Sequence, residues 1–231
     1  MKNKLIYIVP AIIGVVALSV YFALGNPFLK EESPAQDKNA ESEEVKQVED
    51  SENNNEADLK GVPPTNQTTN NIVTDDFEIT PPPGWEGRPA PEGVLAIAIK
   101  PSEVMTDTEA TKIGFKSYFA VTKDTLQGNT KEEYVSFIGE ELKKISSSVT
   151  LDTVWSTKVD RKDATVLDIS MTENINFKIS MFLVWDGDDI WVISFNTTED
   201  KWNEYKDAFF TSGSSFSTTT AMYLSTPLAS P

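Results

Sequence analysis

At 231 residues the chain has room for an N-terminal membrane segment, a linker and one domain of ordinary size. Its formal charge of −16 argues against nucleic-acid binding, which draws on a basic face, and reads as solubility and spacing from an anionic surface. Histidine and cysteine are both absent, which removes imidazole bases, Ser/His and Cys/His nucleophile pairs, disulfides and nearly every transition-metal site, and leaves carboxylate chemistry or hard-cation binding.

Lys2 and Lys4 precede an uncharged run from Leu5 to Leu24. As a helix that run reaches about 30 Å, the hydrocarbon thickness of a bilayer. The lysines before it and the acidic residues after it place residues 1–4 in the cytoplasm, 5–24 in the membrane as a single transmembrane anchor, and everything beyond outside the cytoplasm. Ala23-Leu24-Gly25 also fits a signal-peptidase site, so a secreted domain after cleavage is the alternative; the length of the apolar run favours a retained anchor. Residues 25–74 are rich in Glu, Asp, Asn and Ser and carry no aromatic between Phe28 and Phe77, so they are expected to be a disordered acidic linker.

A globular domain is expected over 75–217. Phe77 and Ile79 alternate with polar neighbours in a short strand that Pro81-Pro82-Pro83-Gly84-Trp85 ends sharply. Val94 to Ile99 and Ile113 to Val121 read as two further strands, the second with one slip in its alternation that suggests a bulge. Thr130-Lys131-Glu132-Glu133 is a capping box, and Tyr134, Ile138, Leu142 and Ile145 then form the apolar stripe of a helix ending near Ser146. Four β-rich runs follow, Leu151 to Val159, Ala164 to Met171, Phe177 to Trp185 and Ile190 to Phe195. The gaps between them are too short for anything but hairpins, so the four make an antiparallel meander. The last two are apolar on nearly both faces, as central strands covered on both sides are. Trp202, Tyr205 and Phe209 mark one face of a final helix from Glu199 to Thr211, with Phe210 and Phe216 beside it for the core, and residues 218–231 are expected to be a flexible tail.

Three places in this order resemble the PsbP-like family of small α/β/α sandwiches, which includes PsbP and DcrB-type lipoproteins. They are Phe77-Glu78-Ile79-Thr80-Pro81-Pro82-Pro83-Gly84-Trp85, the hairpin of Phe182-Leu183-Val184-Trp185 with Trp191-Val192-Ile193-Ser194-Phe195, and the stretch from Trp202 to Gly213-Ser214-Ser215-Phe216. The resemblance implies an α+β fold, an antiparallel sheet flanked by helices, and a non-enzymatic binding or assembly role. It carries over no catalytic motif and no cofactor. Plant members are associated with manganese and calcium, but a chain without histidine cannot ligate metal through imidazole.

The candidate metal site is the carboxylate turn of Asp186, Asp188 and Asp189 around Gly187, although it lacks the ligand spacing of a calcium loop and Asp-Gly also suits a plain hairpin tip. Most of the five tryptophans, Trp85, Trp155, Trp185, Trp191 and Trp202, fall in apolar patterns and are expected in the core. Asn66-Gln67-Thr68 and Asn196-Thr197-Thr198 are glycosylation sequons, the second also placed to cap the last helix with Thr197 or Thr198. The expected function is a membrane-anchored extracytoplasmic module whose partners are the lipid bilayer, through the N-terminal helix, and a protein or small ligand, with no nucleic acid. The rival is a carboxylate-dependent hydrolase, which needs two converging carboxyl groups with pKa values pushed apart.

Overall fold

A computed structural model describes residues 71–219 of the chain. Its main feature is a seven-stranded, fully antiparallel sheet in the order β3-β4-β5-β9-β8-β7-β6. The strands are β3 (Glu86–Arg88), β4 (Ala96–Ile99), β5 (Tyr118–Thr125), β6 (Thr150–Val159), β7 (Lys162–Thr172), β8 (Asn176–Asp186) and β9 (Asp189–Thr198). The four-strand meander β6 to β9 is as expected from the short gaps, and β9 returns beside β5 in the middle of the sheet. A small second sheet, β1-β2-β10, is built from β1 (Ile72–Val73), β2 (Phe77–Ile79) and β10 (Ser217–Thr218). The folded part therefore begins before residue 75, and Thr218 belongs to it.

Helices lie on both faces. Alternation sorts each strand: Phe182 and Val184 of β8 and Trp191, Ile193 and Phe195 of β9 point to one face, where Tyr205 and Phe209 of α3 (Glu199–Ser214) cover them. The odd residues Ile179 to Trp185 of β8, with Ile190 and Val192 of β9, point to the other face, under Tyr134, Ile138 and Leu142 of α2 (Lys131–Ile145). The rest of that second face is covered by Met105 and Phe115 around a short helix, α1 (Thr108–Lys112). The sheet thus sits between two helical layers, as an α+β sandwich.

Local chemistry explains the elements. Thr130 accepts from the amide of Glu133 at 3.1 Å while its own amide donates to Glu133 Oε2 at 2.7 Å, so the capping box starts α2 as its sequence indicates. Trp85 N–H donates to the Pro82 carbonyl at 3.1 Å with Gly84 at φ +78, a Pro-Gly turn that aims Trp85 into the core against Phe119, Tyr205 and Phe209. Gly213 lets α3 lie directly on β8: a Cβ there would come within 2.6 Å of the Phe182 ring.

Two expectations are corrected, and one strand, β3, lies outside them. Ile113 to Ser117 is not strand. Asp107 caps α1 by accepting from the amide of Ala110 at 2.8 Å, and the helix ends at Gly114 with φ +66, so the slip in alternation is a helix end rather than a bulge. β3 has no alternating apolar residues and was not anticipated; its register on β4 alone makes it a strand. Asn196-Thr197-Thr198 belongs to β9 and is buried, and Thr198, although at the N-cap position of α3, makes no side-chain cap; its hydroxyl donates to Met105 Sδ at 3.7 Å. No helix among the described residues is long and apolar enough to cross a membrane, and the segment 5–24, the linker up to residue 70 and the tail from 220 lie outside them.

Candidate functional site

The carboxylate turn is the tip of the β8–β9 hairpin. Asp186 faces Asp189 across it, and Gly187 takes the left-handed conformation at φ +66. The carboxylates turn to lysines: Asp189 pairs with Lys123 at 2.8 Å, and Asp186 lies 4.0 Å from Lys162. Asp188 contributes its backbone carbonyl, which accepts from the Leu126 amide at 2.8 Å. Among the described residues no cluster of three or more metal-ligating side chains occurs. Three tryptophans, Trp85, Trp185 and Trp191, are core; Trp155 and Trp202 are partly buried at its rim.

A groove the sequence did not point to lies between α2 and the meander's outer strands. It has a volume of about 430 Å³, within the range of ligand clefts, and is lined by Lys131 and Val135 of α2, Val154 and Ser156 of β6, Asp163 of β7 and Trp185 of β8, among others. Lys131 and Val135, four apart, share a helix face, and Val154 and Ser156, two apart, share a sheet face. Trp185 forms the floor: Nε1 donates to Thr165 Oγ1 at 3.1 Å, Tyr134 packs edge-on at 5.9 Å, and Lys131 Nζ stands 5.7 Å above the ring. At the mouth Lys131 and Lys158 share one carboxylate, Asp163, at 3.2 and 2.6 Å, and these two lysines hold its pKa below the usual value. Below the groove the Tyr134 hydroxyl donates to Asp124 at 2.8 Å; burial raises the pKa of both. The arrangement offers an apolar floor, hydroxyls and a paired-charge rim, which is chemistry for binding.

Two polar clusters lie on the opposite, α3 face. Glu103, almost wholly buried, accepts from Ser117 N at 2.6 Å and Ser117 Oγ at 2.8 Å; nearby, Lys100 donates to the Tyr205 hydroxyl at 2.9 Å. Burial, then the neighbouring Glu103 carboxylate, pushes the Tyr205 hydroxyl far above its ordinary pKa, so this network clamps the β4–α1 loop to α3. In the other cluster Lys178 donates to Asp152 at 2.9 Å and to Ser170, and Thr153 donates to Asp168 at 3.0 Å. Asp152 meets some opposing burial, but its hydrogen bonds from Lys178 and Ser170 bring its pKa below normal, whereas burial, with Asp152's charge adding, raises that of Asp168.

No family model matches the chain, and no curated protein matches it. Among solved structures it is similar to cyanobacterial PsbP from Synechocystis sp. PCC 6803, at 15% identity and a TM-score of 0.48 over 69% of this chain and 98% of that one. It is similar to LpqN, involved in cell envelope biogenesis of Mycobacterium tuberculosis, at 12% identity and a TM-score of 0.44 over 62% of this chain and 82% of that one. It is similar also to the Ran-binding protein Mog1p of Saccharomyces cerevisiae, at 14% identity and a TM-score of 0.44 over 65% and 96%. The α+β class rests on the strand order and register of this chain itself, and no function passes to it from these likenesses.

Proposed function

We propose that the chain is a non-enzymatic binding or assembly module, held by an N-terminal membrane anchor outside the cytoplasm, that takes a protein segment or small ligand in the groove between α2 and β6. The observation that carries the binding role is the groove itself, floored by Trp185 and open at an exposed edge of the sheet. The anchor and orientation rest on the charges around the Leu5 to Leu24 run. A photoreactive phenylalanine at Val135 of the full chain, irradiated in intact cells, tests it: reproducible attachment to one cellular component, blocked by Trp185→Ala, is the expected result, and no attachment overturns the groove. Protease added to intact cells is expected to digest the domain; a domain digested after lysis alone reverses the orientation.

One observation favours the hydrolase reading. Asp152 and Asp168 lie on neighbouring strands with pKa values moved in opposite directions, the pattern of an acid/base pair. Neither the groove nor the smaller cavity at Thr106, Asn176 and Asp200 is lined by them. Asp168→Asn separates the readings: loss of a hydrolytic activity supports the hydrolase, and unchanged photo-attachment supports the binding module.

A further inference from the structure

The charged groups at the groove's mouth, Lys131 and Lys158 against Glu132 and Asp163, sum to zero, and its apolar surface comes from Val135, Val154 and Trp185. Such a groove suits an uncharged, partly apolar segment, because a charge brought into it meets lysines that are already paired. The chain itself carries one. From Ala208 onward no residue is charged, in a chain where 24% are, and Met222, Tyr223, Leu224, Pro227 and Leu228 follow the last described residue, Thr219. The chain reaches that residue at the groove's own end of the sheet: Thr218 donates to Asp160 of the β6–β7 turn from its amide at 3.1 Å and from its hydroxyl at 3.0 Å, and Asp163 at the groove mouth is three residues further on. The small sheet packs on the α3 face through Phe77, Ile79 and Phe216, so the chain has only to round this turn to enter the groove. From Asp160 to Val154, the farthest lining residue on β6, is six residues of strand, about 20 Å. Residues 220–231 extend to about 40 Å. The segment before residue 71 fits less well: Asn71 is held by Glu78 and Thr80 at the other end of β2, and residues 25–70 carry eleven acidic side chains against four lysines.

We infer that residues 220–231 turn back around the β6–β7 turn and occupy the groove between α2 and β6, with Met222 to Leu224 in its apolar part, in competition with whatever the groove takes from outside. The inference rests on the groove as a binding site and names what regulates access to it. A covalent tether this short gives an effective concentration of about 1 mM, so a segment with a Kd of about 0.1 mM as a separate peptide fills the groove about ten to one.

The test uses a photoreactive phenylalanine at Val135 of the full chain. Purified, dilute and irradiated alone, the chain is expected to attach to itself, and fragmentation of the tryptic peptide Asp207–Pro231, which holds no further lysine or arginine, is expected to map the link to residues 220–231. In intact cells a chain ended after Thr219 is expected to attach to its cellular component about tenfold more than the full chain does. Met222→Asp with Leu224→Asp, which keeps the length but sets carboxylates against the apolar surface, is expected to raise attachment as the deletion does. A link to residues 25–70, a link to a second copy, or no link within the chain overturns these residues as the occupant, and equal cellular attachment with and without them overturns the competition. Each of those results leaves the groove reading standing while cellular attachment persists and Trp185→Ala blocks it. Loss of all attachment from Val135, in the full and the ended chain alike, overturns the groove and the inference together.

Discussion

The two faces of the large sheet are built differently. On the α3 face, rings from the Pro-Gly-Trp turn, β5, β8, β9 and α3 pack against one another: Phe195 stacks on Phe209 at 5.0 Å, Trp85 meets Phe209 edge-on at 5.6 Å, and Phe77 contacts both Trp191 and Phe216. The α2 face carries fewer rings, Tyr134 on Trp185 and Phe115 on Phe177 among aliphatic side chains, and is closed over β8 and β9 but opens toward β6, where Leu151 and Val154 remain 40% and 49% exposed. Aromatic packing holds the domain together at one face, and the open margin of the other is where the molecule can meet something else. Substitutions on the two sides should therefore separate stability from association.

The largest effect belongs to the closed face. Phe209→Ala, which empties a fully buried ring position, is expected to cost about 3–5 kcal/mol in denaturant unfolding; a loss below 1 kcal/mol by that measure would show that the aromatic layer is not what holds the domain. Gly213→Ala forces a methyl group into the Phe182 ring and is expected to cost about 1–3 kcal/mol; a neutral result would mean that α3 does not lie so close to β8. Thr130→Ala removes the capping box from α2 and is expected to cost about 1 kcal/mol, with no change in the aromatic near-ultraviolet signal of the closed face.

The fourth expectation concerns pH. Hydrogen bonds from Lys162 and Thr218 lower the pKa of Asp160, despite an opposing burial effect, and through Thr218 they tie β10 to the β6–β7 turn. A lowered carboxyl pKa stabilises the fold above its unfolded value of about 3.9 and loses that contribution as pH falls through the lower folded value. Asp160→Asn is thus expected to lower the melting temperature at neutral pH and to converge with the natural chain below that range. A gap that persists in acid would assign the effect to packing. The smallest stability change is expected at the open edge: Val154→Ser should alter unfolding free energy by no more than about 0.5 kcal/mol while weakening association at the groove.

Much of this was legible in the sequence. Short gaps located the meander, and apolar residues at both parities marked β8 and β9 as its central strands, since a strand covered on both faces buries both sets. The α2 start was legible because capping boxes are local chemistry, and Trp202, Tyr205 and Phe209 marked α3 by helical spacing. What escaped was short or nonlocal. Helix α1 has five residues, too few for a period, and the two-residue strands β1 and β10 exist only because β2 lies between them. The groove escaped for the same reason: Lys131, Val154 and Trp185 belong to three elements, each ordinary in its own segment, and only the register of β6 on β7 and of β7 on β8 brings them together. The hairpin carboxylates drew notice because they are adjacent in sequence, yet Lys123 and Lys162, distant in sequence, occupy two of them.

The open margin as a contact surface is tested most directly by hydroxyl-radical footprinting of the full chain in native membranes, compared with the chain ended after Thr219 in dilute detergent. The account predicts that Val135 and Val154 are labelled weakly in the first setting and strongly in the second, while the buried side chains of β8 and β9 stay protected in both. Strong labelling of Val135 and Val154 in both settings would contradict it.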